Sequence, residues 1–173
     1  MSAAAPPLSR RPQDVAFIAF WAINFGFITY MIDIEQLVIA DPTHFTYPIW
    51  PPRFAVDAIH WWARSFDPVV WARAPWYRAT IWIDALVFGP FYLLAILAFW
   101  RGLPWIRIPC FVWAGMMIAI VTIILFEELW GPTATAARGV VFGANLPWLL
   151  FPLAVIWRMR REDPFATAST HSH

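Results

Sequence analysis

The chain has 173 residues, 61% apolar and only 13% charged, with a mean hydropathy of +0.58, which places it among integral membrane proteins. Its formal net charge of +1 is scattered over loops and tails, so nothing marks a nucleic-acid footprint, and a single cysteine, Cys110, excludes an internal disulfide and a cysteine-based metal cluster. The basic residues are all Arg and the chain is rich in Ala, Trp and Pro, a composition that fits a high-GC genome and leads to the expectation of a bacterial inner membrane.

Residues 1–13 read as a cytoplasmic tail. Arg10 and Arg11 ahead of an apolar run resemble a signal peptide, but the run from Val15 to Ile32 is too long and aromatic for one. No small-x-small cleavage pattern follows it, so it is read as a retained first helix. Four spans follow the length rule of about 20 apolar residues per bilayer crossing. They are Val15 to Ile39, Ala79 to Trp100, Trp105 to Leu129 and Val140 to Trp157. Asp41-Pro42, the Arg101-Gly102-Leu103-Pro104 turn and Gly131-Pro132 separate them, so consecutive helices should be antiparallel neighbours. Pro90, Pro109, Pro147 and Pro152 fall within or at the ends of spans, where a kink can open a cavity; Pro109 fits plain helix-end punctuation better than Pro90 does.

The long connection from Asp41 to Arg78 contains FAVDAIHWWARSF, with Phe54, Ala58, Trp61 and Trp62 on one helical face, which predicts a short interfacial helix anchored among headgroups. The fold expected is therefore an all-α membrane protein, a four-transmembrane-helix bundle with a long loop carrying a short interfacial helix between helices one and two. The membrane domain should occupy residues 14–162 and a disordered tail residues 163–173. Flanking arginines favour both termini on the cytoplasmic side. His44, His60, His171 and His173 lack metal spacing, no phosphate-cradling glycine loop occurs, and no cofactor is expected.

The chemistry is expected at the acids. Asp33 and Glu35 lie in MIDIEQ, Asp84 in IWIDALVFGP, and Glu127 and Glu128 in ILFEELW, with no Arg beside them in the apolar runs. A charge in a span is expensive, about 2.5 kcal/mol or more at the bilayer centre, so such acids usually face a cavity. The topology sets Asp33, Asp84, Glu127, Glu128 and Asn145 at one depth, in the half away from the termini. Asp33 and Asp84 form the strongest pair: two carboxylates in a low dielectric cannot easily both ionise, and a pair sharing a proton can accept a cation or move a proton. Glu35 and Glu128 read as headgroup residues at helix ends, with Glu127 divided between the two roles. A structural ion pair of Asp84 with Arg78 or Arg73 is the alternative for that acid.

The segment IDALVFGPFYLLAILAFWRGLPWIRIP, together with MIDIEQ, Asp67-Pro68, LFEE and NLPWLLFP, resembles the EXPERA-domain family, which includes the sigma-two receptor and the emopamil-binding sterol isomerase. The resemblance spans roughly residues 15 to 162. It implies a ligand cavity among the helices for a sterol-like, isoprenoid or cationic amphiphilic molecule. Asp33 matches the receptor branch's Met-Asp-Leu acid, implied to meet the ligand amine, and Asp84 matches its second membrane acid, usually Glu. Asp67 matches a loop acid implied to be structural. Asn145 and Trp148 match the isomerase branch's Asn-x-x-Trp, whose Trp is implied to stabilise a carbocation. Asp33 and Asp84 are thus candidate proton donor and acceptor, and Glu127, Asn145 and Trp148 candidate ligand contacts. The isomerase branch's His, four residues before a Glu, has no counterpart in any span here. The partners implied are a membrane lipid or isoprenoid-like molecule; the alternative is a non-enzymatic accessory subunit of a larger membrane complex or a homodimer.

Overall fold

The computed structural model describes residues 5–166; the two tail histidines His171 and His173, and most of the tail expected to be disordered, lie outside the described residues. Among them, four helices are long and apolar enough to cross a membrane: α1 Pro12–Val38, α4 Pro75–Arg101, α5 Pro104–Trp130 and α6 Arg138–Arg158. Between α1 and α4 lie α2, Arg53–Ser65, and α3, Pro68–Ala72. In hydrocarbon every backbone N–H and C=O needs a partner within the chain, which is why each apolar run is helical through its length. Leu86, Val112, Ile123, Phe126, Leu150 and Leu153 face outward as the apolar surface that lipid requires. The chain is an integral membrane protein.

The turns follow from their residues. Gly102 takes φ +69°, and the N–H of Leu103 reaches back to the Ala98 carbonyl at 2.8 Å, a left-handed helix end that glycine enters without a Cβ penalty. Asp67 caps α3 by accepting from the Val69 and Val70 N–H groups at 3.1 and 3.2 Å, with Pro68 in the first helical position, where a missing N–H is harmless.

Two stretches, Asn24–Asp33 in α1 and Asp84–Phe88 in α4, are wound as π-helix. The second has a local cause. Pro90 has no N–H and its ring collides with the carbonyl four residues back, so the backbone widens and the Gly89 N–H bonds the Asp84 carbonyl. Pro90 would serve Ala85 in this register, and the Tyr30 hydroxyl serves it instead, donating to the Ala85 carbonyl at 2.7 Å. Gly89 makes room for that hydroxyl: a Cβ there would lie 2.4 Å from Tyr30 Oη.

Two cores result. The larger, at the end that carries the termini, packs Trp21, Phe91, Tyr92, Phe99, Cys110 and Trp113, with Trp21 edge-on to Phe99 at 4.7 Å between ring centroids. The smaller, at the opposite end, packs Ile59, Ala63, Val69, Val70, Tyr77 and Ile81. α2 belongs to this end. That helix buries Ala55, Val56, Ile59, His60 and Ala63 against the bundle, which makes it a roof, and leaves Phe54 and Trp61, on the face expected among headgroups, exposed.

Buried ion pairs fasten both ends, which the sequence did not foretell. At the terminal end Asp14 is fully buried and accepts from Arg11 at 2.7 Å and from Arg158 at 2.7 and 3.0 Å. Arg11 and Arg158 are therefore structural ties rather than free flanking charges. Arg158 also bonds the Pro164 carbonyl, and both guanidinium groups lie over the buried Phe165 ring. Pro164 and Phe165, expected in the tail, are thus packed on the bundle.

Candidate functional site

At the opposite end Glu35, expected among headgroups, is fully buried. Arg73 Nη2 donates to both its oxygens at 3.1 and 2.9 Å, and His60 Nε2 lies 2.9 Å from Oε1. Arg73 also bonds the Ile39 carbonyl, closing the end of α1. Arg73 is thus committed to Glu35, and the expected alternative of pairing it with Asp84 is not realised.

Between the two cores lies a cavity of about 530 Å³, walled by all four spanning helices, α2 and α3. Ile32, Ile81, Phe88, Met117, Val121 and Ile124 supply apolar wall, and the polar groups on the wall are Asp33, Gln36, Asp67, Tyr77, Thr80, Asp84, Glu128 and Asn145. Four carboxyls line the cavity and, among the described residues, no Arg or His does. Phe27 and Trp61 line it too and are 48% and 61% exposed, so on that side it reaches the surface.

The acids meet in two pairs. Asp33 and Asp84 stand within hydrogen-bond reach of each other, with Thr29 beside Asp84. The Tyr92 hydroxyl donates to Asp84 Oδ1 at 3.3 Å, and Asp84 Oδ2 has no well-aligned donor. Both π-helical stretches end or begin at this pair: the first closes on Asp33 and the second opens on Asp84, so the widened backbone aims the two carboxyls at each other. In the second pair, Asp67 and Glu128 are within reach of each other, Trp62 Nε1 lies 3.4 Å from Asp67 Oδ2, and Asn145 Nδ2 donates to Glu128 Oε2 at 3.1 Å. Burial pushes the Asp67 carboxyl above its ordinary value, against the donors at Val70, Trp62 and Val69.

Of the expected site residues, Asp33, Asp84, Asn145 and Trp148 all reach this one cavity. Trp148 donates from Nε1 to Asn24 Oδ1 at 2.8 Å, which fixes its indole in the wall. Asp67, expected to be structural, does cap a helix but also faces the cavity. Glu127 does not reach it: its carboxylate turns back to accept from the Thr133 N–H at 3.0 Å and hydroxyl at 2.5 Å, capping the end of α5. Glu128, read from sequence as a headgroup residue, takes the place expected of Glu127 and is 1% exposed. A signal for it was present, because Met117, Val121, Ile124 and Glu128 recur at steps of three and four along α5 and form one stripe. Gln36, also missed, lies one turn beyond Asp33 on the same face.

The fold and cavity define a class: a four-helix membrane protein with an acid-lined, largely apolar chamber among its helices. The EXPERA (EXPanded EBP superfamily) profile matches residues 54–159, and the chain belongs to that family. It is 27% identical over 155 residues to the sigma intracellular receptor 2 of Xenopus tropicalis, covering 80% of this chain and 86% of that protein. It is 24% identical over 149 residues to the sigma intracellular receptor 2 of Homo sapiens, covering 78% of this chain and 80% of that protein.

Proposed function

We propose that this protein binds a cationic amphiphile, with a sterol-like or isoprenoid-like apolar body in the cavity and a protonated amine at Asp33 and Asp84. The observation that carries this reading is the charge imbalance: four carboxyls line one chamber with no cation among the lining residues, whereas the buried acids outside it, Asp14 and Glu35, each hold an arginine. A bound ammonium supplies the missing charge, and a carboxyl pair sharing one proton offers it a single negative charge with several acceptor oxygens. The apolar wall provides the rest of the affinity through burial, at about 25 cal/mol per Å². The likeness to receptors supports a binding role.

Native mass spectrometry with lipidomics on gently purified protein tests the reading, comparing the wild type with Asp33→Asn and Asp84→Asn. One enriched small molecule that the variants fail to retain is the expected result. No enriched molecule, together with stoichiometric membrane subunits that co-purify, would replace the reading with an accessory-subunit role.

Double-bond isomerisation is the second reading, favoured by the Trp148 indole sharing a wall with the carboxyl pair. The acid that protonates an alkene carbon and the base that removes a proton from another carbon would be Asp84 and Asp33, and Trp148 would face the intervening carbocation. Incubation with an unsaturated sterol in deuterated water tests it: shifted product carrying deuterium supports catalysis, and unchanged sterol leaves binding alone.

A further inference from the structure

On its outer side α5 carries a groove separate from the cavity. Thr122, Phe126 and Trp130 recur every four residues along one row, and Ile123, Glu127 and Gly131 along the next. Trp76, in the first turn of α4, adds a further wall, because antiparallel neighbours set the start of one helix beside the end of the other. The groove holds about 560 Å³. Met117, Val121, Ile124 and Glu128 serve the inner cavity from another face of the same helix, so the two adjacent glutamates look into different spaces.

Two features set this groove apart from a plain belt of interfacial tryptophans. The first is that its rings converge: Trp76, Phe126 and Trp130 are exposed on its walls, and Phe126 and Trp130 meet 5.1 Å apart between centroids at 52°, which makes an angled corner. The second is a carboxylate among those rings. Both bonds from Thr133 fall on Oε1 of Glu127, which fixes the side chain and leaves Oε2 with no hydrogen-bond partner among the described residues. Oε2 lies where a Cβ on Gly131 would collide with it, so the glycine admits the carboxylate to this place. Among the described residues no Arg or His lines the groove.

A negative charge framed by aromatic faces suits a cation whose nitrogen carries apolar groups. Methyls on that nitrogen lie against the electron-rich faces, and the carboxylate balances the charge. A primary ammonium would bring three N–H donors to a groove whose side-chain acceptors are only Glu127 and Thr122. The position names the source of the cation. The groove opens at the ends of two spanning helices, at headgroup depth, and exposed Ile123 continues it as apolar wall toward the bilayer centre. Thr122 lies five residues before Glu127, about 7.5 Å deeper along the helix, with a hydroxyl to offer the ester groups that follow a lipid headgroup.

We propose that this groove is a lipid site selective for a choline headgroup, with the trimethylammonium held among Trp76, Phe126 and Trp130 and against Glu127. The site is independent of whatever the inner cavity holds.

Native mass spectrometry tests it on the full-length protein, delipidated in a maltoside detergent and titrated with phosphatidylcholine, phosphatidylethanolamine and phosphatidylglycerol of one acyl length. Phosphatidylcholine should bind about tenfold more tightly than phosphatidylethanolamine, the scale of a desolvated cation–π contact. Glu127→Gln keeps an acceptor for Thr133 and should bring that ratio to about one. Trp130→Leu should lower the ratio with the acid still in place, which keeps the test open if either variant folds poorly. Equal affinities for the three lipids, tighter binding of phosphatidylglycerol, or a choline preference that survives both substitutions would overturn the site. None of these results would touch the amine reading of the cavity.

Discussion

Asp33 and Glu35 are two residues apart on α1 and serve opposite ends. An α-helix turns about 100° per residue, so the two side chains leave on nearly opposite faces. Glu35 points into a buried knot where Arg73 and His60 await it, from chain positions 38 and 25 residues further on. Asp33 points into the cavity and finds another carboxyl. Where the fold needs an acid for its own cohesion, it brings an arginine to it, as it does again at Asp14. Where it brings none, at Asp33 and Asp84, the acids are the ones assigned above to the proposed ligand. A buried charge without its partner is costly, so the difference in supply separates architecture from site.

The contrast can be broken most forcefully at Arg73. Arg73→Met leaves Glu35 buried and unmatched and should destabilise the protein by about 3–5 kcal/mol, read as a large fall in melting temperature in detergent. The double variant Arg73→Met with Glu35→Leu should recover much of that loss; a silent single variant would erase the distinction. Next in size is Gly89→Ala, which drives a Cβ against the Tyr30 hydroxyl and frees the Ala85 carbonyl, for an expected loss of about 1–3 kcal/mol. Its weaker binding of amines would show that the π-turn aims Asp84.

The mirror test is Asp33→Asn. No cation is stranded by it, so stability should move by less than about 1 kcal/mol while amine binding falls by an order of magnitude or more, seen by parallel melting and calorimetry. A loss of stability as large as that at Arg73 would place Asp33 with the structural acids. The smallest effect is a pH slope. Burial raises the folded-state value of Asp67 above 3.8, so in that range the folded chain holds a proton that the unfolded chain has released, and stability falls as pH rises through the window. Asp67→Asn keeps the helix cap and should flatten the slope in melting curves taken across it.

The four spans and their breaks were legible because a bilayer leaves a chain little choice of length or hydrogen bonding. Asp33, Asp84 and Asn145 were legible because acids and amides stand out in greasy helices and antiparallel packing brings equal depths together, whereas Trp148 was singled out only through the family resemblance. Glu127 and Glu128 were not separable by depth. They are adjacent, and only the rotation of α5, set by the packing of Met117 and Val121 into the bundle, decides which one faces inward. Glu35 was misread for another reason: its partners lie on the long loop, and the path of that loop is not written in any periodicity. The exposed face of α2 was legible in Phe54 and Trp61, whereas its packed face of Ala55, Val56, Ile59, His60 and Ala63 was not, because small and mixed side chains carry little signal of what they pack against.

The knot of Glu35, Arg73 and His60 has a consequence for how the chamber fills. It ties the roof helix and its following loop to the end of α1, so lifting the roof would mean pulling a buried ion pair apart. The side marked by Phe27 and Trp61 requires no such rupture. Under the proposed binding role, a ligand entering on that side would come by way of the lipid, and the concentration governing occupancy would be the amount dissolved in the membrane rather than in water. Two amines with identical contacts inside would rank by how readily each partitions into the bilayer first.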